Sequence, residues 1–328
     1  MKLATYKDGS RDGQLVVVSR DLSTAHYASG IATRLQQVLD DWNFLSPQLE
    51  DLYPDAQPRQ GAPRLRLRAE KCMAPLPRAS SGPTARPTST TSNWCARRAA
   101  PRCREFLQRP ADVPGRQRRL PRPHRRHRRA QRGFRHRLRG RGGGGHRRRA
   151  HGQHARGGAG GHPAADAGQR RFLRNLIPAE LAKGFGFFQS KPATAFSPVA
   201  CTPDELGAAW QGRRVHLDSN RCGTAKRVGL CAAGEEMTFH FGQLIAHICK
   251  TRNVRAGSIV GSGTVSNKDW SRGYSCIAEK RAIETIEGGA PKTEFMRWGD
   301  SIRIEMKGAD GQSLFGAIEQ KVVPLQAA

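Results

Sequence analysis

A basic stretch in the middle of the chain constrains its fold more than any other feature. Residues 121–149, PRPHRRHRRAQRGFRHRLRGRGGGGHRRR, contain thirteen arginines and no lysine, acidic residue, tyrosine or isoleucine. The wider basic segment, residues 72–171, has 26 arginines and three acidic residues, so it carries +23 of the chain's net charge of +29. Such a segment buries too little apolar surface to offset the entropy lost on folding. We therefore expect residues 75–170 to be irregular and disordered.

Two explanations of the basic segment are open. A pI near 11.1 is typical of proteins that bind nucleic acid, and an Arg/Gly-rich arm would suit that partner. Phosphate binding uses lysine as well as arginine, yet none of the chain's twelve lysines lies between Lys71 and Lys183. Arg, Gly, Pro and Ala have GC-rich codons, whereas Lys, Ile and Tyr have AT-rich codons. The absences are therefore those expected of GC-rich DNA translated in the wrong frame.

The N-terminal flank has the patterns of a folded protein. KLATY and QLVVV, in the first 18 residues, are strand-like runs separated by Asp-Gly turns. RLQQVLDDWNFLSPQLEDLY has helical spacing, with a break predicted at Ser46–Pro47. The chain has no apolar run of about 18 residues and its start lacks a signal-peptide core, so we expect a cytoplasmic protein without membrane contact.

The C-terminal flank, residues 173–328, is predicted to be mostly β. FGQLIAHICKTRNV at 241–254 predicts an amphipathic helix, with Leu244, Ile245, Ile248 and Val254 on or near one face, and GSIVGSGTV a following strand. DSIRIEM and AIEQKVV alternate apolar and polar residues on either side of an Asp-Gly turn, which predicts an antiparallel pair. Eight cysteines include no CxxC pair, so neither a zinc ribbon nor a disulfide scaffold is indicated. His146, His151 and His154 could form a metal site, but they lie in the basic segment and we reject it.

Three sequence blocks resemble a known family. FGFFQSKPATAFSPV, MTFHFGQLIAHICKTRNVRAGSIVGSGTVSN and RWGDSIRIEM are similar, in order and spacing, to blocks of the fumarylacetoacetate hydrolase family. The resemblance is weak over residues 1–58 and strong over 173–328. It implies an α+β, mostly β fold: a small β-rich N-terminal domain over 1–58, an irregular segment over 59–172, and a β-roll catalytic domain over 173–328.

The family's metal chemistry has no counterpart in the basic segment. Its members hold a divalent cation, Mg²⁺ or Ca²⁺/Mn²⁺, with a Glu-x-Glu pair and a later Asp, and use a His to activate water. The resemblance places these residues where the chain has arginine and glycine. It therefore implies a metal-dependent enzyme whose metal ligands are not intact in this chain.

The genetic code connects the basic composition of this segment with the absence of the family's metal ligands. Read one base later, GC-rich codons for GFRHRLRGRGGGGH at 133–146 permit ASGIDFEAEVAVV, which contains Glu-x-Glu. The same shift permits ANDVS, which contains the family's metal-binding Asp motif, at 167–172, and MYQGGSDDFLG at 112–122. A two-base shift permits AYVNHVELVRKA, with a histidine, at 86–98. We interpret residues 57–172 as translated out of frame. A second, shorter stretch, RCGTAKRVG at 221–229, is also a candidate for translation out of frame.

Five surviving site residues follow from the resemblance. Arg174 and Lys191 match family residues that stabilise a developing oxyanion. Gly263 and Thr264 match a Gly-Thr turn that contacts the substrate carboxylate. The alternative is an ordinary β-turn without a role in binding. Glu279 matches the glutamate that orients the catalytic His, although a solvent-facing helical Glu is equally expected. A sixth position, Ile177, departs from the glutamine of fumarylacetoacetases proper, which leaves the exact substrate open.

The resemblance implies hydrolysis of a carbon–carbon bond in a small 1,3-diketo acid such as fumarylacetoacetate, as in aromatic amino-acid breakdown, by a homodimer. This chain is expected to be inactive and to bind nucleic acid only non-specifically. Two alternatives are a related keto-acid decarboxylase, hydratase or isomerase, and a nucleic-acid-binding protein that uses the basic segment as its arm.

Overall fold

A computed structural model describes residues 1–58, 65–79, 84–86, 111–113, 136–137, 140–146, 164–169, 171–184, 188–223, 226–249 and 254–324. His151, His154 and most of the stretches with alternative frame readings lie outside the described residues. The described part is mostly β, with few helices, as the sequence predicted. None of its helices is long and apolar enough to cross a membrane.

The strands are, in chain order, β1 (Lys2–Tyr6), β2 (Gln14–Val18), β3 (Thr24–Tyr27), β4 (Leu65–Arg66), β5 (Thr84–Arg86), β6 (Ala111–Val113), β7 (His136–Arg137), β8 (Gly140–His146), β9 (Ala164–Gln169), β10 (Phe172–Leu173), β11 (Ala195–Phe196), β12 (Val199–Cys201), β13 (Trp210–Gln211), β14 (Arg214–Val215), β15 (Asp218–Gly223), β16 (Lys226–Ala232), β17 (Ser258–Gly261), β18 (Ser301–Met306) and β19 (Ile318–Lys321). The α-helices are α1 (Leu35–Asp40), α2 (Trp42–Leu52), α3 (Ile177–Ala182), α4 (Phe241–Cys249) and α5 (Ile277–Gly288).

A nine-stranded sheet joins the two ends of the sequence. Its strand order is β17-β8-β9-β12-β1-β2-β3-β4, and β11 also pairs with β9. In β1, Leu3 packs with Leu15 and Val17 in one core, whereas Ala4 packs with Val16 in another. The two-residue period of a strand explains this, because successive side chains point to opposite faces. The sheet is therefore buried on both sides at its centre.

Helices α1 and α2 cover one face of this sheet, with Val38 and Leu49 fully buried beside β1 and β2. The predicted break at Ser46–Pro47 is wrong. The helical pattern is interrupted at Asp41, which has φ −128° and ψ 57°, and Pro47 lies inside α2. A proline there removes one backbone hydrogen bond, but packing of the buried face keeps the helix continuous.

A four-stranded antiparallel sheet, in the order β16-β15-β18-β19, forms the second layer of the C-terminal flank. Its β18 and β19 confirm the predicted antiparallel pair, with Ile302 opposite Gln320. The intervening Asp-Gly turn closes with a bond from the Gly311 amide to the Gly308 carbonyl, 3.0 Å. The predicted helix is confirmed over Phe241–Cys249 as α4, whose buried residues include Leu244, Ile245 and Ile248, whereas Val254, predicted on its apolar face, lies outside it.

Strands β5 to β9 lie in the segment expected to be irregular, and they depart from that expectation. β8, with the sequence GRGGGGH, pairs with β17 on one side and β9 on the other. A strand between two neighbours has its backbone groups hydrogen-bonded whatever its side chains are. Backbone pairing with β17 and β12, which belong to the flank, therefore explains β8 and β9, which the side-chain pattern does not predict, whereas β5 and β6 pair with each other.

Candidate functional site

Arg174 and Lys191 lie on adjacent segments. β10 leads into a 3₁₀ turn, Arg174–Leu176, and the Leu173 amide donates to the Ser190 carbonyl at 2.8 Å. The Lys191 ammonium lies 5.4 Å from the centre of the Phe172 ring, and the Arg174 guanidinium lies 5.4 Å from that of Phe295. Cation–π contact of this kind holds a charged group in place at modest cost. The structure thus places the two predicted site residues on hydrogen-bonded neighbouring segments, each against a different aromatic ring.

A carboxylate that the sequence reasoning missed fixes the loop before Lys191. Glu180, on α3, accepts hydrogen bonds from the Phe188 amide at 3.1 Å and from the Ser190 amide and hydroxyl. Partial burial opposes ionisation, but these bonds outweigh it and lower the pKa of Glu180. An ionised carboxylate therefore ties α3 to the loop that carries Lys191. An acidic residue in the first turn of a short helix gave no distinctive sequence signal.

The Gly263–Thr264 turn follows β17 and is buried. Gly263 has φ +82°, a conformation that favours glycine over residues with a side chain. Thr264 is 3 % exposed, and its Oγ1 has no hydrogen-bond partner among the described residues. A buried hydroxyl without a partner is uncommon, and a polar ligand atom is one explanation for it.

Glu279 links this turn to α5. The residue is 1 % exposed, so the solvent-facing alternative is wrong. Its Oε2 accepts from the Ser266 hydroxyl at 2.8 Å, and from the Ser275 amide at 3.1 Å and the Ser275 hydroxyl. Asn267 holds the same turn to β16 by accepting from the Ala232 amide at 3.1 Å. The two serines were missed, although a hydroxyl two residues after Thr264 and another four before Glu279 could have indicated the network.

Among the described residues, Glu279 accepts hydrogen bonds from Ser266 and Ser275 and from no histidine. Its Oε1 has no described partner. The role of orienting a histidine therefore stays a prediction. Arg174 and Lys191 lie on neighbouring segments, and Glu279 is linked to the segment after the Gly-Thr turn through Ser266.

The described residues do not fit a divalent metal. They contain no group of three or more His, Cys, Asp or Glu side chains that could hold one. β8 carries no carboxylate, and its Gly143 is opposite Asp166 of β9. Desolvation raises the pKa of the fully buried Asp166 well above the usual value, and its Oδ1 has no described partner. A single carboxyl cannot replace the oxygen cage that a hard cation requires.

The described arrangement can bind and stabilise an anion. Two fixed cations suit a developing oxyanion, and the Thr264 hydroxyl suits a carboxylate oxygen. The carboxylate nearest this turn, Glu279, already accepts three hydrogen bonds. The described residues thus include groups suited to contacting an anion, and they include no cluster of side chains that could hold a metal ion.

Comparison with family models gives two matches. The model described as fumarylacetoacetase N-terminal domain 2 matches residues 1–78. The model described as fumarylacetoacetate hydrolase C-terminal matches residues 160–323, half of the chain. A comparison with curated proteins gives no match.

Solved structures show the same fold over the whole chain. Maleylpyruvate hydrolase from Sphingobium sp. SYK-6, in complex with manganese(II) and pyruvate, is 14% identical, with a TM-score of 0.61 and coverage of 99% of this chain and 100% of that one. Fumarylacetoacetate hydrolase from Exiguobacterium antarcticum is 11% identical, with a TM-score of 0.61 and coverage of 99% of each chain. 2-Hydroxyhepta-2,4-diene-1,7-dioate isomerase from Mycobacterium marinum is 12% identical, with a TM-score of 0.54 and coverage of 99% and 98%.

Proposed function

Since this chain belongs to the fumarylacetoacetate hydrolase family, we propose that it derives from an enzyme that hydrolyses a carbon–carbon bond in a 1,3-diketo acid such as fumarylacetoacetate, and that the chain as written is defective. The observation that carries the proposal is the pair of cations, Arg174 and Lys191, held on adjacent segments within the matched C-terminal domain. A keto-acid substrate develops negative charge on oxygen as the bond breaks, and a fixed cation stabilises it most at that point.

The surviving residues have defined parts in this proposal. Lys191, on the loop fixed by Glu180, stabilises the developing oxyanion together with Arg174. The Thr264 hydroxyl donates to the substrate carboxylate, and the Ser266–Glu279 network keeps the turn in position. No step of water activation is assigned, because the described residues hold neither a positioned general base nor ligands for a metal.

The sequence of β9 supports the out-of-frame origin of the basic segment. All six of its residues are buried, yet the sequence is AADAGQ, without a β-branched or aromatic residue. The side chain of Gln169 has neither its oxygen nor its nitrogen hydrogen-bonded among the described residues, and Asp166 Oδ1 is likewise unpartnered. Natural strands rarely combine full burial with unsatisfied polar groups. A frame shift explains why a strand in the correct place has an unsuitable sequence.

A divalent metal belongs to the proposed enzyme, whereas the part of this chain that the structure describes holds no set of ligands for one. The family relative from Sphingobium holds manganese(II), and the one-base-later readings restore a Glu-x-Glu word and an Asp word. Carboxylate oxygens of that kind suit Mg²⁺, Ca²⁺ or Mn²⁺ alike. The restored enzyme should therefore depend on a divalent cation, and the choice among these cations is left to experiment.

The first experiment is to resequence the DNA that encodes residues 57–172. We expect one uninterrupted reading frame that encodes the Glu-x-Glu and Asp motifs. A DNA sequence that encodes the arginine-rich segment in the same frame as its flanks would overturn the frame-shift part of the proposal. The chain as written and the frame-restored chain are then assayed for loss of fumarylacetoacetate with Mn²⁺ or Mg²⁺. We expect turnover only from the restored chain and its loss in Lys191→Met, whereas ordinary turnover by the chain as written would refute the proposed defect.

Isomerisation of a related keto acid is a second candidate. It is favoured by the fold likeness to the isomerase from Mycobacterium marinum and by Ile177, which departs from the residue of fumarylacetoacetases proper. Mass spectrometry of products from a panel of diketo and hydroxydienoic acids distinguishes the two candidates. Hydrolysis adds the mass of water and splits the substrate, whereas isomerisation leaves the mass unchanged.

A further inference from the structure

Arg221 is a buried cation without an anionic partner in the described structure. It lies on β15, between Gly229 of β16 and Ile304 of β18, and is 3 % exposed. Its Nε and Nη1 have no hydrogen-bond partner among the described residues, and no described carboxylate lies within 4.0 Å of the guanidinium. A buried charge of this kind is unfavourable unless an anion meets it.

The neighbouring groups do not supply that anion. Burial raises the pKa of the Cys231 thiol, against the opposing effect of Arg221, so the thiol stays neutral. Glu279 also acts on that thiol; its Oε2 accepts from Ser266 and Ser275, and its Oε1 has no described partner, but neither oxygen lies within 4.0 Å of the Arg221 guanidinium. Arg221 thus has no directly paired carboxylate among the described residues, and its Nε and Nη1 can meet a ligand.

Arg221 lines a cavity of about 530 Å³ between the four-stranded sheet and α5. Its walls include the aromatic rings of Trp270, Tyr274 and Phe295 and the apolar side chain of Ile277. The volume lies within the range of about 300–1,000 Å³ that is usual for small-molecule sites. The aromatic walls suit a flat apolar body, and Arg221 suits a negative group at one end of it.

The N-terminus of α5 borders the cavity, and its first turn also carries the buried carboxylate of Glu279. Cys276, the residue before this twelve-residue helix, caps it with no side-chain hydrogen bond, and Cys276, Ile277 and Lys280 all line the cavity. A helix N-terminus attracts anions through its free amides and its dipole. Two acidic residues also line the cavity, but Glu294 is paired with the Arg297 side chain and Asp300 accepts from the Arg297 amide at 2.7 Å.

We propose that this cavity binds a small carboxylic acid with an aromatic body, whose carboxylate pairs with Arg221 beside the first turn of α5. Lys191 and the Gly263–Thr264 turn do not line the cavity, whereas two of its wall residues contact the predicted site: Phe295 contacts Arg174, and Ser275 donates to Glu279. The proposal concerns the chain as written, in which Arg221 belongs to the shorter stretch with an alternative frame reading. It does not depend on the proposed hydrolase function, because binding is measured without turnover.

The test compares benzoate with its neutral isostere benzamide by isothermal titration calorimetry on the full chain. We expect benzoate to bind with a Kd of about 0.1–1 mM, and benzamide at least about tenfold more weakly. Arg221→Met should lower benzoate binding to the benzamide level, whereas Arg221→Lys should retain part of the preference. Arg255→Met is the matched control, because it removes the same charge from an exposed residue outside the cavity.

Three results would overturn the proposal: equal affinity for the two compounds, unchanged benzoate affinity in Arg221→Met, or no saturable binding of benzoate up to about 10 mM. Circular dichroism checks that each variant folds. If Arg221→Met does not fold, Lys280→Met replaces it, because this side chain is 39% exposed and lines the same cavity. Its loss of the benzoate preference supports the site, and an unchanged preference counts against it.

Discussion

β1 and β9 are buried in the same nine-stranded sheet, but their sequences satisfy that environment differently. β1, with the sequence KLATY, places aliphatic side chains in the cores on both faces, and its buried Thr5 hydroxyl donates to the Pro75 carbonyl at 2.6 Å. β9, with the sequence AADAGQ, leaves Asp166 and Gln169 with unpartnered polar atoms among the described residues. The two strands are equally buried, but β9 leaves buried polar atoms without hydrogen-bond partners. This difference indicates that pairing with the flanking strands, rather than its own side chains, determines the position of β9.

The largest expected effect is on the well-packed side of the comparison. Leu3→Ala should lower the free energy of unfolding by about 2–5 kcal/mol, because it removes a fully buried side chain from the core under α1 and α2. Urea unfolding followed by circular dichroism measures this loss. Phe44→Ala, which truncates a side chain that is 66% exposed, is the control and should have little effect. A loss in Leu3→Ala no larger than in the control would show that β1 does not anchor the sheet.

The next effect has the opposite sign and concerns β9. Asp166→Val should raise the free energy of unfolding by about 1–3 kcal/mol, because it replaces a buried carboxyl that has an unpartnered oxygen with a β-branched residue suited to a strand. The same urea titration measures the gain, and Ala165→Val controls for the general effect of a larger side chain on β9. Destabilisation by Asp166→Val alone would mean that Asp166 has a partner in the native protein and that the two strands are equally satisfied.

The two strands also differ in what the sequence could predict. The alternation of KLATY and QLVVV predicts β1 and β2, and the helix and antiparallel pair of the C-terminal flank follow from their own periodicity. β8 and β9 could not be predicted, since glycine and alanine give no alternation and their pairing partners are distant in sequence.

The same distinction holds for the candidate site. The resemblance indicated Lys191 and Glu279 from short sequence motifs. The roles predicted for these residues are part of the proposed function. It could not indicate that Ser266 and Ser275 bind Glu279, or that Arg221 lines a cavity with Trp270, because those contacts depend on how separate elements pack. Local patterns thus predict elements and candidate residues, whereas tertiary contacts decide their partners.

A smaller effect is expected from pH. Desolvation raises the folded-state pKa of Asp166, so the folded chain keeps this proton at pH values where the unfolded chain has lost it. Its stabilising contribution is therefore complete below the usual Asp pKa and is lost as pH rises through the raised folded-state value, by at most about 1.4 kcal/mol per pH unit. Unfolding free energies of the chain and of Asp166→Asn, measured from pH 4 upward, should diverge in that direction. Parallel curves would show that Asp166 is not desolvated.

The smallest expected effect is a sequence preference in nucleic-acid binding, and it tests the basic segment as a whole. If residues 72–171 are translated out of frame, their arginines bind polyanions through counterion release, which is sensitive to salt and blind to sequence. Competition between candidate RNA or DNA and heparin at near-physiological salt should then show less than about tenfold preference for any one sequence or shape. A chain in which the seven arginines of residues 121–135 are replaced by glutamine is the control, because it keeps β8 and β9, and it should lose much of this binding. A preference of about a hundredfold or more, lost in that control, would mean that the segment is an evolved nucleic-acid arm, and the contrast between β1 and β9 would need another explanation.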